Sequence, residues 1–398
     1  MAKKAKKTKM YSLRWHASQE SDELIFAVCD RYFSQLGRAS KEIDSENRVG
    51  SETREKHRGA ASSVAGWLQK VKGRTDLTRE KIYPMFWEAC HRGFLLLQPP
   101  PEHHLRKKLE NSFALYKHPG EVTVVNVSGE TAAQHVTSVA ADQIVELIER
   151  VWKEKKEQYP NDPEKQAVHL GMGAGFATML VARRLAFKIR SGAEVPPIVL
   201  HAISSGGFLP NEPHKSPSTY FSYFDPALMN VEFVALFSAT VVSSSDYENQ
   251  KANPAIRYSF ERRDEIDIIV TSLASADHKH GLLGQYLTHL IDQRLLSKEA
   301  LTKMHSAGWI GDVQFRPYSV AGPLPEDVCP VRAVTLFELD ELVEIAKSRS
   351  NRYIVLVAGP CGECGKTKKN ALRPLLANEK LRLWTHLIVD AKTAKELL

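Results

Sequence analysis

Three glycines at alternate positions, Gly171, Gly173 and Gly175, interrupt the stretch AVHLGMGAGFATMLVARRL, Ala167–Leu185. A short apolar run precedes them. Phe176, Met179, Leu180 and Phe187 follow at helical spacing with no breaker between them. The pattern reads as strand, glycine turn, helix. Glycines let backbone approach a ligand closely, and a helix start offers unpaired N–H groups at the positive end of its dipole. That combination seats a phosphate or a carboxylate. The same glycines also suit a plain tight turn that packs helix on sheet, and a lone G-x-G does not separate the two.

Other residues could do chemistry with it. Gly359–Thr367, GPCGECGKT, follows an apolar run but fails the G-x-x-x-x-G-K-[ST] spacing of a nucleotide-binding loop, because five residues separate Gly359 from Gly365. It still places Lys366 and Lys368 at a helix start, where a cation can meet a bound anion. Cys361 and Cys364 form a single C-x-x-C; a structural zinc site wants a second pair, a redox pair is open to it, and two small residues in a tight loop is the preferred reading. Asp277-His278-Lys279-His280 sits in a surface loop without an evident third ligand, so no metal and no cofactor are expected. Gly308-Trp309-Ile310-Gly311-Asp312 is a turn whose carboxylate could accept hydrogen bonds from sugar hydroxyls, or could cap its own turn.

The elements that must position these residues alternate. Strands are expected at Glu121–Val127, at the run before Gly171, and at Pro197–Ile203, Val231–Phe237, Ile266–Thr271, Tyr353–Ala358 and His386–Val389. Helices are expected at Ser138–Lys155, from Phe176 on, around Ala255–Arg263, at Leu282–Leu296, Ser297–His305 and Lys366–Ala377, and at Ala391–Leu397. Such alternation specifies an α/β fold, a mainly parallel sheet with helices on both faces. Ligands of such sheets sit at the C-terminal strand ends. Three strands here end in polar or glycine-rich loops, at 171–178, at Ser204-Ser205-Gly206-Gly207 and at 359–365.

The first third differs in charge. Residues 1–120 carry 23 Lys+Arg against 14 Asp+Glu, while the whole chain of 398 residues is at +7. The excess suggests a polyanion partner for that third, or a solubilising lysine tail. Residues 1–17 are expected to be a disordered basic tail. Ser21–Leu36 is an amphipathic helix with Leu24, Ile25, Val28, Tyr32 and Leu36 on one face. Arg38–Arg58 has no period and reads as a loop or frayed segment. Ala60–Val71 and Thr78–His91 are further helices, and Phe94–Gln98 a short strand. Three helices and a strand in residues 18–101 follow the order of a winged helix-turn-helix, mainly helical, with Arg79 and Lys81 near the start of the helix that would enter the major groove and Lys72 and Arg74 against phosphates. A small helical packing domain with solvated basic residues is the plainer alternative. Pro84, inside that third helix, must kink it or delay its start. His103–Phe113 is a basic helix within a linker, 102–119, that leads to the larger domain, 120–398.

Apolar residues make up 43% and charged residues 25% of the chain, ordinary for a globular protein. No apolar run approaches membrane-spanning length, and MAKKAKKTKM lacks the apolar core of a secretory signal. A cytoplasmic protein with no membrane partner is expected. Five scattered cysteines argue against a disulfide framework.

The order of these motifs resembles the SorC family of bacterial transcription regulators, over roughly residues 60–398. The family joins a winged helix-turn-helix to a sugar-phosphate-sensing domain of the sugar-phosphate isomerase type. His169–Thr178 is similar to the family's strand and G-x-G-x-T phosphate loop, with one residue more between Gly175 and Thr178. Ser204–Gly207 is similar to its second glycine loop. GWIGDV resembles the G-A-V-G-D-I segment, which implies that Asp312 contacts the effector. Lys368-Lys369-Asn370-Ala371-Leu372 resembles K-x-x-A-I, which implies that Lys368 meets the effector phosphate. The ending THLIVDAKTAKELL is similar to the family's terminus. Where the family shows D-x-A-x-x-G-I-G, this chain has Asp267–Ala274 without glycines.

The expectation is therefore a transcriptional regulator, not an enzyme. It would bind double-stranded DNA and a phosphorylated sugar as a homodimer or homotetramer. Its ligand seat would comprise Gly173, Gly175, Thr178, Ser204, Ser205, Gly206, Asp312 and Lys368. The alternatives are an isomerase- or deaminase-like enzyme, for which Asp312 is the one loop carboxylate to nominate as base, and a sensor whose first domain contacts protein rather than DNA.

Overall fold

The computed structural model describes residues 20–33, 52–92, 95, 99–118, 120–129, 131–191, 196–206, 212–238, 241–348 and 351–398. The chain forms two units, Met1–Leu97 and Gln98–Leu398.

In the first unit a helix spans residues 22–33 (α1), capped by Ser21, whose Oγ accepts the Leu24 N–H at 3.3 Å. Helix α2 is Glu52–Lys72 and α3 is Arg79–Arg92. Ile25, Val28, Val64, Leu68, Ile82 and Met85 are fully or almost fully buried. Leu36 lies outside the described residues, as do the tail 1–17 and most of the expected strand 94–98. The loop expected at 38–58 is corrected for its described part: Glu52–Arg58 is the start of α2. These residues lack an apolar stripe, but a helix that has nucleated extends through Glu, Arg and Lys at little cost. Val71, expected inside, is 63% exposed. Pro84 does not delay α3, which begins at Arg79 and carries the proline in its interior.

The second unit is built on a long sheet. Its strands in chain order are β1 (Glu121–Val125), β2 (Val168–Met172), β3 (Ile198–Ala202), β4 (Val231–Val234), β5 (Val241–Val242), β6 (Ile268–Ser275), β7 (Gly311–Val313), β8 (Arg316–Ser319), β9 (Gly322–Pro323), β10 (Arg332–Ala333), β11 (Tyr353–Ala358) and β12 (His386–Asp390). Seven of them form a parallel sheet in the order β1-β12-β11-β6-β2-β3-β4. β7, β8 and β9 extend it antiparallel from the far half of β6, and β10 pairs with β5. The helices are α4 (His103–Ser112), α5 (Ala132–Gln158), α6 (Phe176–Ser191), α7 (Pro217–Tyr220), α8 (Ser244–Ala252), α9 (Pro254–Glu261), α10 (Leu282–Asp292), α11 (Lys298–Ser306), α12 (Leu339–Lys347), α13 (Lys369–Ala377) and α14 (Ala391–Leu397).

The central strands bury both faces, so their sequences are apolar throughout rather than alternating. Val355, Val357, Ile268, Val270 and Ile388 join the core under α5 and α6. Ile354, Leu356, Ile269, Leu387 and Val389 join the opposite core, under α4, α9, α12, α13 and α14. Each such side chain contributes roughly 1.5–3 kcal/mol when fully buried. Helix α4 matches the expected bounds but is more than a linker: Leu105 and Leu109 are buried in that second core, and Glu102 N–H bonds Val124 C=O at 2.7 Å. The sheet unit therefore starts near residue 98 rather than 120.

Two local features generate predictions. Gln314 and Phe315 form the two-residue turn between β7 and β8, and both have positive φ, 50° and 63°. Such a turn suits Asn-Gly; here a bulky pair holds a left-handed backbone at a cost. Gln314 is 5% exposed, and neither atom of its side-chain amide has a partner among the described residues. Gln314→Gly is expected to raise stability by about 1 kcal/mol, read as a higher denaturant midpoint at constant slope. A lower midpoint would contradict strain at this turn.

His169 and His201, on adjacent strands, are buried with Nδ1 and Nε2 2.9 Å apart. Burial, with Lys155 and Arg262 nearby and despite Glu265 3.3 Å away, pushes His169 down to about 4. Burial, His169 itself and Arg262 push His201 down to about 3. The unfolded rings, near 6.5, take up protons first. Stability present at neutral pH is thus lost as pH falls from 6.5 toward 4, by up to about 1.4 kcal/mol per pH unit for each ring. The double variant His169→Asn/His201→Gln should flatten this slope between pH 7 and 5. An unchanged slope would contradict a neutral buried pair.

Candidate functional site

The sheet changes direction beside β2. β3 and β4 follow on one flank, while β6 and then β11 lie on the other. Loops leaving β2 and β6 at their C-terminal ends therefore diverge and open a crevice. A cleft of about 80 Å³ lies there, lined by Gly175, Phe176 and Ala177 after β2, Ser272–Ser275 of β6, Gly359–Glu363 after β11, and Asp312 and Lys368. It is smaller than the ~300–1,000 Å³ that encloses a whole ligand.

The glycine turn supplies the first wall. Gly175 has φ +128°, open to glycine only, and a Cβ there would meet Ser272 Oγ at 3.4 Å. Its N–H is held by Lys215 C=O and Tyr220 Oη, both at 2.9 Å. Gly173 N–H donates to Val270 C=O at 2.9 Å, and Ala174 N–H to Ser204 Oγ at 3.2 Å. These amides are committed to holding the turn. Phe176 and Ala177, in the first turn of α6, line the cleft, and Met179 is the first amide of this helix to bond back, to Gly175 C=O at 3.0 Å.

Thr178 is fully buried and its Oγ1 donates to Gly175 C=O at 2.9 Å, behind the cleft. Ser204 and Ser205 are buried as well. Ser204 bridges Thr335, and Ser205 N–H bonds Val334 C=O at 3.0 Å. Ser204, through its bond from Ala174, braces the turn, and neither serine nor Gly206, at φ +52°, lines the cleft. Of the expected seat, the structure brings Gly175, Asp312 and Lys368 to one wall-to-wall space and places Gly173, Thr178, Ser204, Ser205 and Gly206 behind it.

Asp312 is not in a turn. It sits on β7, paired with Ala274 of β6, which aims the carboxyl into the cleft. Burial pushes that carboxyl up to about 7, against the opposing pull of Lys368 and a hydrogen bond from the Phe315 backbone. Lys368, at the N-terminal end of α13, is half-buried; its Nζ donates to Leu273 C=O at 2.8 Å, and desolvation of the ammonium lowers its pKa. The two charged groups make no direct ion pair, so space between them is open to a polar ligand.

Lys215 is a cation that spacing does not announce. It is 4% exposed, lines the cleft, and pairs with Glu212 at 2.7 Å and Glu363 at 3.2 Å. Glu363 also meets His280 Nδ1 at 2.6 Å, a second link across the rim. The one sequence hint is that Lys215 stands between Pro213 and Pro217, in a segment whose carbonyl holds the glycine turn.

In the first unit Lys72 and Lys81 are exposed and Arg79 is partly so. Arg74 is engaged: its guanidinium grips Glu20 at 2.6 Å through two nitrogens, and Asp76 at 2.7 and 2.8 Å. No described helix is long and apolar enough to cross a membrane.

No family model and no curated protein matches this sequence. Solved structures do match. The full-length sorbitol operon regulator SorC of Klebsiella pneumoniae superposes with a TM-score of 0.56 at 14% identity, over 95% of this chain and 99% of its own. A probable sor operon regulator of Shigella flexneri gives 0.52 at 15% identity over 74% and 97%. A transcriptional regulator of Streptococcus pneumoniae TIGR4 gives 0.50 at 14% over 74% and 95%. At such identities the likeness is one of architecture. The fold of this chain, a helical first unit and a mainly parallel sheet covered by helices, is that of the SorC-type regulators.

Proposed function

We propose that this chain is a DNA-binding transcriptional regulator whose second unit senses a phosphorylated sugar. The observation that carries the reading is the meeting of the α6 first turn, Asp312 and Lys368 at one cleft on the sheet's switch point. In this reading the phosphate rests on the free amides of Phe176 and Ala177, with Lys368 and Lys215 supplying charge and Gly175 allowing close approach. Asp312 and Gln314 read hydroxyls. Gly173, Thr178, Ser204, Ser205 and Gly206 contribute by fixing the turn. Lys72, Arg79 and Lys81 of the first unit meet DNA, while Arg74, already paired, serves to hold its own loop. Two half-sites on DNA call for a homodimer or homotetramer. A ligand changes DNA affinity only through different affinity for two arrangements of the assembly.

A ligand at 100 times its Kd adds about 2.7 kcal/mol of stability. Thermal unfolding across a panel of sugar phosphates should therefore reveal one or a few that raise Tm by several degrees. Lys368→Ala should abolish that shift while leaving the ligand-free Tm within a few degrees. An undiminished shift in Lys368→Ala would remove the assigned seat.

Duplex DNA binding should weaken steeply with salt, and Lys72→Ala and Lys81→Ala should each lower the log–log salt slope by about 1. Absent or salt-insensitive binding would favour a protein partner for the first unit.

One observation favours a second reading. A buried carboxyl near 7 in the same cleft as a half-buried amine suits proton abstraction from a sugar carbon. Turnover of a sugar phosphate that is lost in Asp312→Asn would establish an isomerase-like enzyme instead.

A further inference from the structure

The C-x-x-C of the β11 loop and the His278 loop after β6 are separated by more than 80 residues in the chain, yet they meet on one wall of the cleft. The ligand atoms of His278, Cys361 and Cys364 all lie within 4.8 Å of one another. Their loops leave neighbouring parallel strands, paired from Tyr353 and Ile268 onward, so the approach follows from the sheet register. Cys361 N–H donates to Lys366 C=O and Gly365 N–H to Cys361 C=O, both at 2.9 Å, closing a tight turn about the two thiols. Gly365 takes φ +66°, which lets the chain reverse directly after the second cysteine. His278 is fixed by its N–H on Ser275 C=O at 3.1 Å, and its side chain is 6% exposed.

We propose that His278, Cys361 and Cys364 form a zinc site on the cleft wall, its fourth position open to water or to an oxygen of a cleft ligand. Two thiolates and an imidazole are the donor set that selects zinc over harder cations. Three protein ligands with one open position is also the arrangement of accessible rather than purely structural zinc. With Zn–S near 2.3 Å and Zn–N near 2.1 Å, tetrahedral ligand atoms stand roughly 3.6–3.8 Å apart. Closing the site from the observed spacing takes a shift of about 1 Å in a loop that carries one exposed cysteine.

The surroundings fit the donor set. Asp277 lies 3.6 Å from His278 Nε2 and is itself fixed by Ser275 Oγ at 2.5 Å and Asn370 Nδ2 at 2.8 Å, so a carboxylate stands beside the ring. Lys368 interacts electrostatically with both Cys361 and Cys364, which puts a cation beside the two sulfurs. Cys361 and His278 both line the cleft, so the open position faces it. The inference stands apart from the sugar-phosphate reading, because it concerns metal uptake by the chain without any sugar.

The test is a Co²⁺ titration of the full chain, reduced and stripped of metal by chelator. One Co²⁺ per chain should bind with thiolate-to-metal charge-transfer absorption and the visible bands of tetrahedral cobalt, and Zn²⁺ should displace it. Cys361→Ser/Cys364→Ser should lose these bands. His278→Ala should weaken binding at least roughly tenfold and shift the visible bands. Cys364→Ser alone, at an exposed position, guards against misfolding and should also lose the charge-transfer intensity of one thiolate. Wild-type chain that takes up no cobalt, a spectrum that survives the cysteine substitutions, or indifference to His278→Ala would each overturn the site.

Discussion

Everything in the second unit hangs on the way the parallel sheet is wound outward from β2. Because β3 continues to one side and β6 docks on the other, the connections that leave β2 and β6 have to part. The space between them holds no strand, only loop ends and the start of α6. β6 then runs beyond the sheet by enough residues to pair with β7, and that pairing carries Asp312 over the opening. The site is thus a consequence of strand order, while its chemistry comes from residues far apart in the chain.

The residues that gather there are costly to keep. Asp312 is buried and Lys368 half-buried with no ion pair between them, Gln314 has a side-chain amide with no partner among the described residues, and two bulky residues share a left-handed turn. Each departs from what a packed core favours. Grouped around one cleft, they are groups whose missing partners a polar ligand could provide. The rim answers with the Lys215–Glu363–His280 links, which hold charges together at the place a ligand must enter.

Much of the architecture could be read in advance. Apolar runs marked the central strands because burial on both faces leaves no alternation, and the glycine at 175 marked the turn because a left-handed backbone needs it. The family resemblance pointed to Lys368 and Asp312, and both line the cleft, Asp312 from a strand rather than from a turn. What the glycine pattern could not say was which amides stay free; hydrogen bonds from Gly173, Ala174 and Gly175 to other loops decide that. Ser204 and Ser205 carry the composition of a ligand loop, yet Ser204 braces the glycine turn and Ser205 bonds the Val334 carbonyl. Lys215 and the approach of His278 to the two cysteines were invisible because both depend on contacts across the sheet edge. The β7–β8 hairpin was hidden by Gln314 and Phe315, residues that do not announce a turn, and α2 was shortened in the reading because propensity without a stripe gives no period.

The central claim is that a phosphorylated ligand lodges where the β2 and β6 loops part. It is tested most directly by a crystal structure of the full chain grown with a saturating sugar phosphate that stabilises it. The account requires phosphorus density within hydrogen-bonding reach of the Phe176 and Ala177 amides and of Lys368 Nζ. Density for the phosphate at any other surface, with this cleft holding only water, would contradict it.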